Sequence, residues 1–275
     1  MRRAGLLAAA LLLVVAVACS STGEGERRTG SASADVMTGT DAWAPVRHNM
    51  VERQIRARGL DDQAVLDAME KVPRHLFVPR PLHRFAYADR PLPIGDGQTI
   101  SQPYVVALMS DLLELDADDR VLEVGTGSGY HAAVMAQLAA EVYSIEILPS
   151  LAVGAETVLS RLGYDNVRVR VGDGYCGWPE LAPFDAVILT AAPPSIPRPL
   201  LDQLAVGGRL VAPVGEEGAR QELLLIVRQP DGYTQKRVSY VHFVPMTGQA
   251  ERRFTPQDGD GLQSCASDVP AEGRR

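Results

Sequence analysis

The run Val121-Leu122-Glu123-Val124-Gly125-Thr126-Gly127-Ser128-Gly129-Tyr130 limits the fold of this chain more than any other segment. A short apolar stretch reads as a buried strand, alternating glycines then allow a sharp turn, and apolar residues at helical spacing follow. A strand that enters a glycine loop and opens a helix is the first unit of a doubly wound sheet, whose ligands bind at the carboxyl ends of the strands. The alternation continues downstream. Strands are predicted at 120–124, 142–146, 167–171, 185–190 and 208–213, with helices at 129–140, 150–162 and 197–204. Residues 222–228 and 235–243 read as a closing antiparallel pair that turns at Pro230-Asp231-Gly232. Upstream, Val51 and Ile55 mark a helix over 46–57. Asp61-Asp62 caps a second helix through Val65, Leu66 and Met69, which Pro73 stops. The proline-bearing stretch 79–98 is expected to be a structured loop, and Tyr104–Leu115 a helix. The expected fold is therefore α/β: a doubly wound, mostly parallel, Rossmann-like sheet with an N-terminal helical extension and C-terminal antiparallel strands.

The loop also carries chemical information. A bare G-x-G is weak, and the dinucleotide version G-x-G-x-x-G places a pyrophosphate at the helix N-terminus. Here the spacing is G-x-G-x-G through Gly125, Gly127 and Gly129, followed by Tyr130, and Glu123 stands just before it. A carboxylate there would repel a pyrophosphate but can accept a hydrogen bond from the amino group of a methionine-type ligand. Glu146 ends the next strand, where an acid can accept both ribose hydroxyls; enzymes that bind NAD share this pairing. Asp173, within Gly172-Asp173-Gly174, is placed to accept from an adenine amino group. Any one of these acids alone reads as a solvated loop residue. Three of them at the ends of three successive strands, around one glycine loop, describe a site for S-adenosyl-L-methionine on a class I methyltransferase fold.

Composition narrows the partners. Of 275 residues, 46% are hydrophobic and 22% charged, enough for a substantial core. The net charge of −7 argues against a broad phosphate-binding face, so no nucleic-acid partner is expected. Cys19, Cys176 and Cys265 are too few and scattered to predict a disulfide framework or zinc site, and the histidines show no metal-ligand spacing. At the N-terminus, Arg2-Arg3, an apolar run from Leu6 to Ala18 and Ala16-Val17-Ala18 before Cys19 have the order of a signal peptide. The run is short for a membrane span. The reading is a signal peptide at 1–18, a flexible tether at 19–43, a folded domain at 44–254 and a disordered tail at 255–275. Cys19 is a candidate lipid anchor, although position 16 of a lipobox is more often leucine, which leaves plain secretion open. A cytoplasmic protein whose true start is Met37 or Met50 is the alternative. No interface signature is legible, and a monomer is the default.

The segment Pro91-Leu92-Pro93-Ile94-Gly95-Asp96-Gly97-Gln98-Thr99-Ile100-Ser101-Gln102-Pro103-Tyr104 resembles the protein-L-isoaspartate O-methyltransferases. The likeness extends over about residues 46–247. It includes Val72-Pro73-Arg74-His75-Leu76-Phe77-Val78-Pro79, Gly172-Asp173-Gly174 and Thr190-Ala191-Ala192-Pro193-Pro194. The resemblance implies methylation of the α-carboxylate of L-isoaspartyl residues in damaged proteins, with an ester that passes through a succinimide toward normal aspartyl. It places the active-site serine at Ser101 and cofactor contacts at Thr99, Ile100, Glu146, Asp173 and Gly174. Thr126 in the glycine loop and Thr190 at a strand end complete the candidate set with Ser101, Glu123, Gly125, Gly127 and Gly129.

The chemistry needs no general base, because the accepting carboxylate is already ionised at neutral pH. Ser101 is therefore expected to orient that carboxylate. It also reads as a helix N-cap, and the two roles are compatible. Two other readings compete: a class I methyltransferase for a small molecule or RNA, and an exported binding protein with a vestigial cofactor site. The resemblance to a family that is ordinarily cytoplasmic conflicts with the leader, since S-adenosylmethionine is made in the cytoplasm.

Overall fold

The computed structural model describes residues 41–252 and Cys265. The leader, most of the tether and the tail apart from Cys265 lie outside the described residues. The N-terminal extension opens with α1 (Ala44–Met50), which continues as a π-turn at Val51–Ile55 and a 3-10 turn at Arg56–Arg58. Asp62 then caps α2 (Gln63–Lys71), its Oδ1 accepting the Val65 N–H at 2.9 Å. The stretch expected to be loop holds two 3-10 turns and a small hairpin, β1 (Leu92–Gly95) with β2 (Gln98–Ile100). Asp96 and Gly97 turn it with φ of 50° and 73°. Next comes α3 (Pro103–Leu113).

The central sheet is built from β3 (Arg120–Val124), β4 (Glu141–Glu146), β5 (Val167–Val171), β6 (Phe184–Leu189), β7 (Leu204–Val214), β8 (Gln221–Gln229) and β9 (Gly232–Val241). Its order is β5-β4-β3-β6-β7-β8-β9, parallel through β7 and antiparallel from β7 to β9. The connecting helices are α4 (Tyr130–Met135), α5 (Pro149–Arg161) and α6 (Arg198–Asp202), and α7 (Gln249–Arg252) follows the last strand. The expected doubly wound sheet is present. Helix α4 ends at Met135, short of the expected residue 140. There the chain tightens into i→i−3 turns, Gln137 N–H to the Val134 carbonyl and Leu138 N–H to the Met135 carbonyl, and Asn166 Nδ2 donates to the carbonyls of Ala136 and Ala139.

Side chains alternate across β3. Val121 joins Met109, Leu113, Met135 and Ile188 on one face, while Leu122 and Val124 join Tyr143, Leu189 and Leu200 on the other. Both faces of β3, β4 and β6 are buried, whereas the edge strand β5, Val-Arg-Val-Arg-Val, is half-exposed. The chain runs outward from β3 to β5 and then returns to β6 on β3's other side. This reversal opens a crevice at the carboxyl ends of β3 and β6. Cys176 and Cys265 form a disulfide across 89 residues, a pairing the scattered spacing of the cysteines did not suggest. Separation along the chain says nothing about proximity in the fold.

Candidate active site

The crevice encloses about 820 Å³ of empty space open to solvent. Its walls bring together Thr99, Ile100 and Ser101 from β2 and the link to α3, Gly125, Thr126 and Gly127 from the loop, and Glu146, Gly174 and Thr190 from later strand ends. Nine of the twelve candidates read from sequence thus share one cleft. The other three do not line it.

Loop geometry is set by two close approaches. Gly125 has φ +102°, and a Cβ there would stand 2.3 Å from Thr190 Oγ1. Only glycine permits both that backbone conformation and that approach. Thr190 closes over the loop by donating its hydroxyl to the Gly125 carbonyl and its N–H to the Val124 carbonyl at 2.9 Å. Gly129 sits outside the cleft because its bare backbone packs against Ala155 and Leu159 of α5. It brings the loop down onto that helix.

Glu146 ties two strand ends together. Its Oε2 accepts the Gly127 N–H at 2.8 Å and its Oε1 accepts the Leu148 N–H at 3.0 Å. Each carboxylate oxygen keeps a further lone pair. Fixed in this way, the carboxylate can still accept the paired hydroxyls of a ribose.

Glu123 is placed differently from the sequence-based expectation. It is fully buried beneath the loop, away from the cleft walls. Thr126 Oγ1 lies 2.5 Å from Ser144 Oγ, which donates at 2.5 Å to Glu123 Oε2. The other oxygen, Oε1, has no partner among the described residues. Burial, reinforced by the charge of Glu146, pushes the Glu123 carboxyl up to about 8, and the Ser144 hydrogen bond only partly offsets this. Glu123 therefore anchors a chain of hydroxyls that holds Thr126 in the loop from below. Asp173 also stands outside the cleft lining. Its Oδ1 accepts the Tyr175 N–H at 2.9 Å and its Oδ2 the Gln249 N–H at 2.7 Å, with Gly248 packed against it. It fixes the C-terminal segment that forms one wall of the cleft. That segment is held again where Ala192 exchanges hydrogen bonds with Val244 and Met246, both at 2.8 Å, and Val244–Thr247 line the cleft.

Ser101 does not cap α3. The N-cap is Gln102, without a side-chain cap. The Ser101 hydroxyl faces the cleft with no hydrogen-bond partner among the described residues, while its carbonyl accepts from Arg74 Nη2 at 2.7 Å. Arg74 is fully buried, also donates to the Ala86 carbonyl at 2.7 Å, and lies over the Tyr130 ring. It pins the serine's backbone to the N-terminal extension.

Sequence reasoning missed His131, a cleft residue buried between α3 and α4, with Nε2 3.1 Å from Ser110 Oγ. It follows Tyr130 directly and has no metal-ligand spacing to another histidine, so its sequence context reads as a core or surface histidine. Burial and the positive charge of Arg74 hold its imidazole down to about 3.

The cleft fits S-adenosyl-L-methionine on two observations: an acid pinned for ribose at the end of β4 and a glycine loop where a side chain would clash. Among the described residues, no group of three or more metal-ligating side chains is placed to hold a metal ion.

Comparison with known proteins agrees with this geometry. The family described as Protein-L-isoaspartate(D-aspartate) O-methyltransferase (PCMT) matches residues 46–251. A protein-L-isoaspartate O-methyltransferase of Gloeobacter violaceus is 57% identical over 198 residues, which is 72% of this chain and 97% of that protein. A Synechococcus protein of the same name is 56% identical over 213 residues, 75% of this chain and 87% of that one. A Plasmodium falciparum structure with S-adenosyl-L-homocysteine, described as a protein-L-isoaspartate O-methyltransferase, superimposes with a TM-score of 0.64. It is 28% identical and covers 73% of this chain and 98% of that one.

Proposed function

The chain belongs to the protein-L-isoaspartate(D-aspartate) O-methyltransferase family, and from that premise we propose how its cleft performs the reaction. The enzyme transfers a methyl group from S-adenosyl-L-methionine to the α-carboxylate of L-isoaspartyl residues in damaged proteins. The resulting methyl ester converts through a succinimide toward normal aspartyl, which repairs the chain. The observation that carries the placement is the meeting of Thr99–Ser101, the glycine loop and Thr190 on one cleft.

When bound, S-adenosyl-L-methionine supplies a methyl group on a sulfonium, which is its own leaving group. The protein's task is therefore to position and desolvate. Glu146, Thr99, Ile100, Gly174 and the loop from Gly125 to Gly127 hold the donor. The Ser101 hydroxyl donates to one oxygen of the substrate carboxylate and leaves the other free to attack in line. Such orientation contributes up to roughly 7–11 kcal/mol in favourable cases. No residue has to remove a proton, and a hydroxyl without an adjacent base suits this role better than nucleophilic attack. All these groups come from one chain, so a monomer suffices.

For the compartment, we propose export, with cleavage before Cys19 and a lipid anchor on that residue. The charged, apolar and small-residue segments of the leader support this reading. So does the Cys176–Cys265 disulfide, since such bonds persist in oxidising compartments. Mass spectrometry of the mature N-terminus tests it: a diacylated Cys19 supports the anchor, and a start at Met37 or Met50 refutes export. Methyl transfer to an isoaspartyl peptide but not to its aspartyl twin tests the reaction.

A further inference from the structure

The cleft leaves one end of the donor without an obvious acceptor. S-adenosyl-L-methionine carries an α-ammonium, and the acid expected to receive it, Glu123, is buried beneath the loop. Glu146 is the one carboxylate among the described cleft-lining residues, and both of its oxygens are tied to backbone N–H groups beside the ribose position. His131 lines the same cleft.

The hydrogen bonds of His131 fix which of its nitrogens can accept. The Ser110 hydroxyl has a single proton, and it donates to the Val106 carbonyl one turn back at 3.0 Å. With its proton on that carbonyl, the 3.1 Å contact with His131 Nε2 is assigned as Nε2–H donating to Ser110 Oγ. A neutral imidazole with its proton on Nε2 carries a bare lone pair on Nδ1. Nδ1 has no partner among the described residues, although the ring is otherwise enclosed. The ring stays neutral across the physiological range because it is buried near Arg74.

We propose that His131 Nδ1 accepts a hydrogen bond from the α-ammonium of the methyl donor. This makes His131 a determinant of cofactor affinity, and Ser110 the residue that sets its tautomer. The inference rests on the reading that this cleft holds S-adenosyl-L-methionine. The other tautomer would present an N–H to the cleft and would favour the donor's carboxylate instead.

The experiment is calorimetric titration of the full chain with three probes: S-adenosyl-L-homocysteine, its analogue lacking the α-amino group, and its analogue lacking the carboxylate. Wild type is compared with His131→Leu, which fills the space without an acceptor, and His131→Gln, which keeps one. His131→Leu is expected to bind S-adenosyl-L-homocysteine about tenfold more weakly, the effect of one modest hydrogen bond. It should bind the deamino analogue as tightly as wild type does, and His131→Gln should restore most of the lost affinity. The ratio of the two affinities within each variant controls for any general loss of packing or fold. Equal weakening toward all three probes would overturn the proposal, as would a defect that vanishes only with the decarboxylated analogue. Wild type that binds none of the probes would refute the cofactor reading itself, and the inference with it.

Discussion

The carboxylate of Glu146 receives the backbone N–H of Gly127 at 2.8 Å, so the end of β4 and the middle of the glycine loop form one hydrogen-bonded unit. The acid that fits a ribose also holds the loop in shape. Glu146→Gln should therefore weaken S-adenosyl-L-homocysteine binding by about tenfold to a hundredfold, the range for hydrogen bonds to a charged group. Calorimetry would check this, with circular dichroism showing that the sheet remains intact.

Gly125→Ala combines a forbidden backbone conformation with a collision against Thr190 Oγ1. The backbone term alone is of order 1–3 kcal/mol. Urea denaturation should show a loss of at least that size. Pairing the change with Thr190→Ala should recover only part of it, because removing the hydroxyl relieves the contact but leaves the φ angle.

Two buried groups give stability an unusual dependence on pH. Between about 4.5 and about 8 the unfolded chain has lost the Glu123 proton while the folded protein keeps it, so stability falls as pH rises through that window. His131 acts in the opposite sense. Between about 3 and 6.5 the unfolded chain gains a proton that the folded protein refuses, so stability from this group rises with pH. Each slope is about 1.4 kcal/mol per pH unit at most. The two oppose one another between 4.5 and 6.5, and only the Glu123 decline remains from 6.5 to 8. Denaturation midpoints measured across pH should fall from 6.5 to 8 in wild type and stay level in Glu123→Gln.

The disulfide between Cys176 and Cys265 closes a long loop beside the wall of the cleft. Loss of a native disulfide commonly costs about 2–5 kcal/mol, and Cys265→Ser should lower the thermal midpoint accordingly. Non-reducing peptide mapping should recover the Cys176–Cys265 pair from protein collected outside the cytoplasm and free thiols from protein retained inside.

Much of this arrangement is legible in the sequence because it follows local rules. The inner parallel strands β3 and β6 are short, mostly apolar runs between turn signals, and the Asp62 cap stands where an aspartate precedes a helical pattern. The β1–β2 hairpin was hidden by Pro91 and Pro93, although Asp96-Gly97 is a recognised hairpin turn and could have revealed it. Candidate residues line the cleft where strand ends define position, as at Glu146 and Thr190. Glu123 and Asp173 stand outside the cleft lining for one shared reason. Sequence tells which strand end carries an acid, whereas the direction of the side chain depends on strand pleat and on partners such as Ser144 and Gln249, which are distant in the chain. His131 and the disulfide were missed for the same reason, since Ser110, Arg74 and Cys265 reach their places only through tertiary packing.

The central claim, that the cleft joining Ser101 to the glycine loop methylates isoaspartyl carboxylates, is tested most directly by one assay. The full chain is incubated with methyl-labelled S-adenosyl-L-methionine and two peptides that differ only in an L-isoaspartyl or L-aspartyl linkage. Base-labile label should appear on the isoaspartyl peptide alone. Ser101→Ala should cut kcat/KM by about tenfold or more through loss of a hydrogen bond to a carboxylate, while S-adenosyl-L-homocysteine still binds. Equal labelling of both peptides, or none on either from a protein that binds the cofactor, would contradict the account.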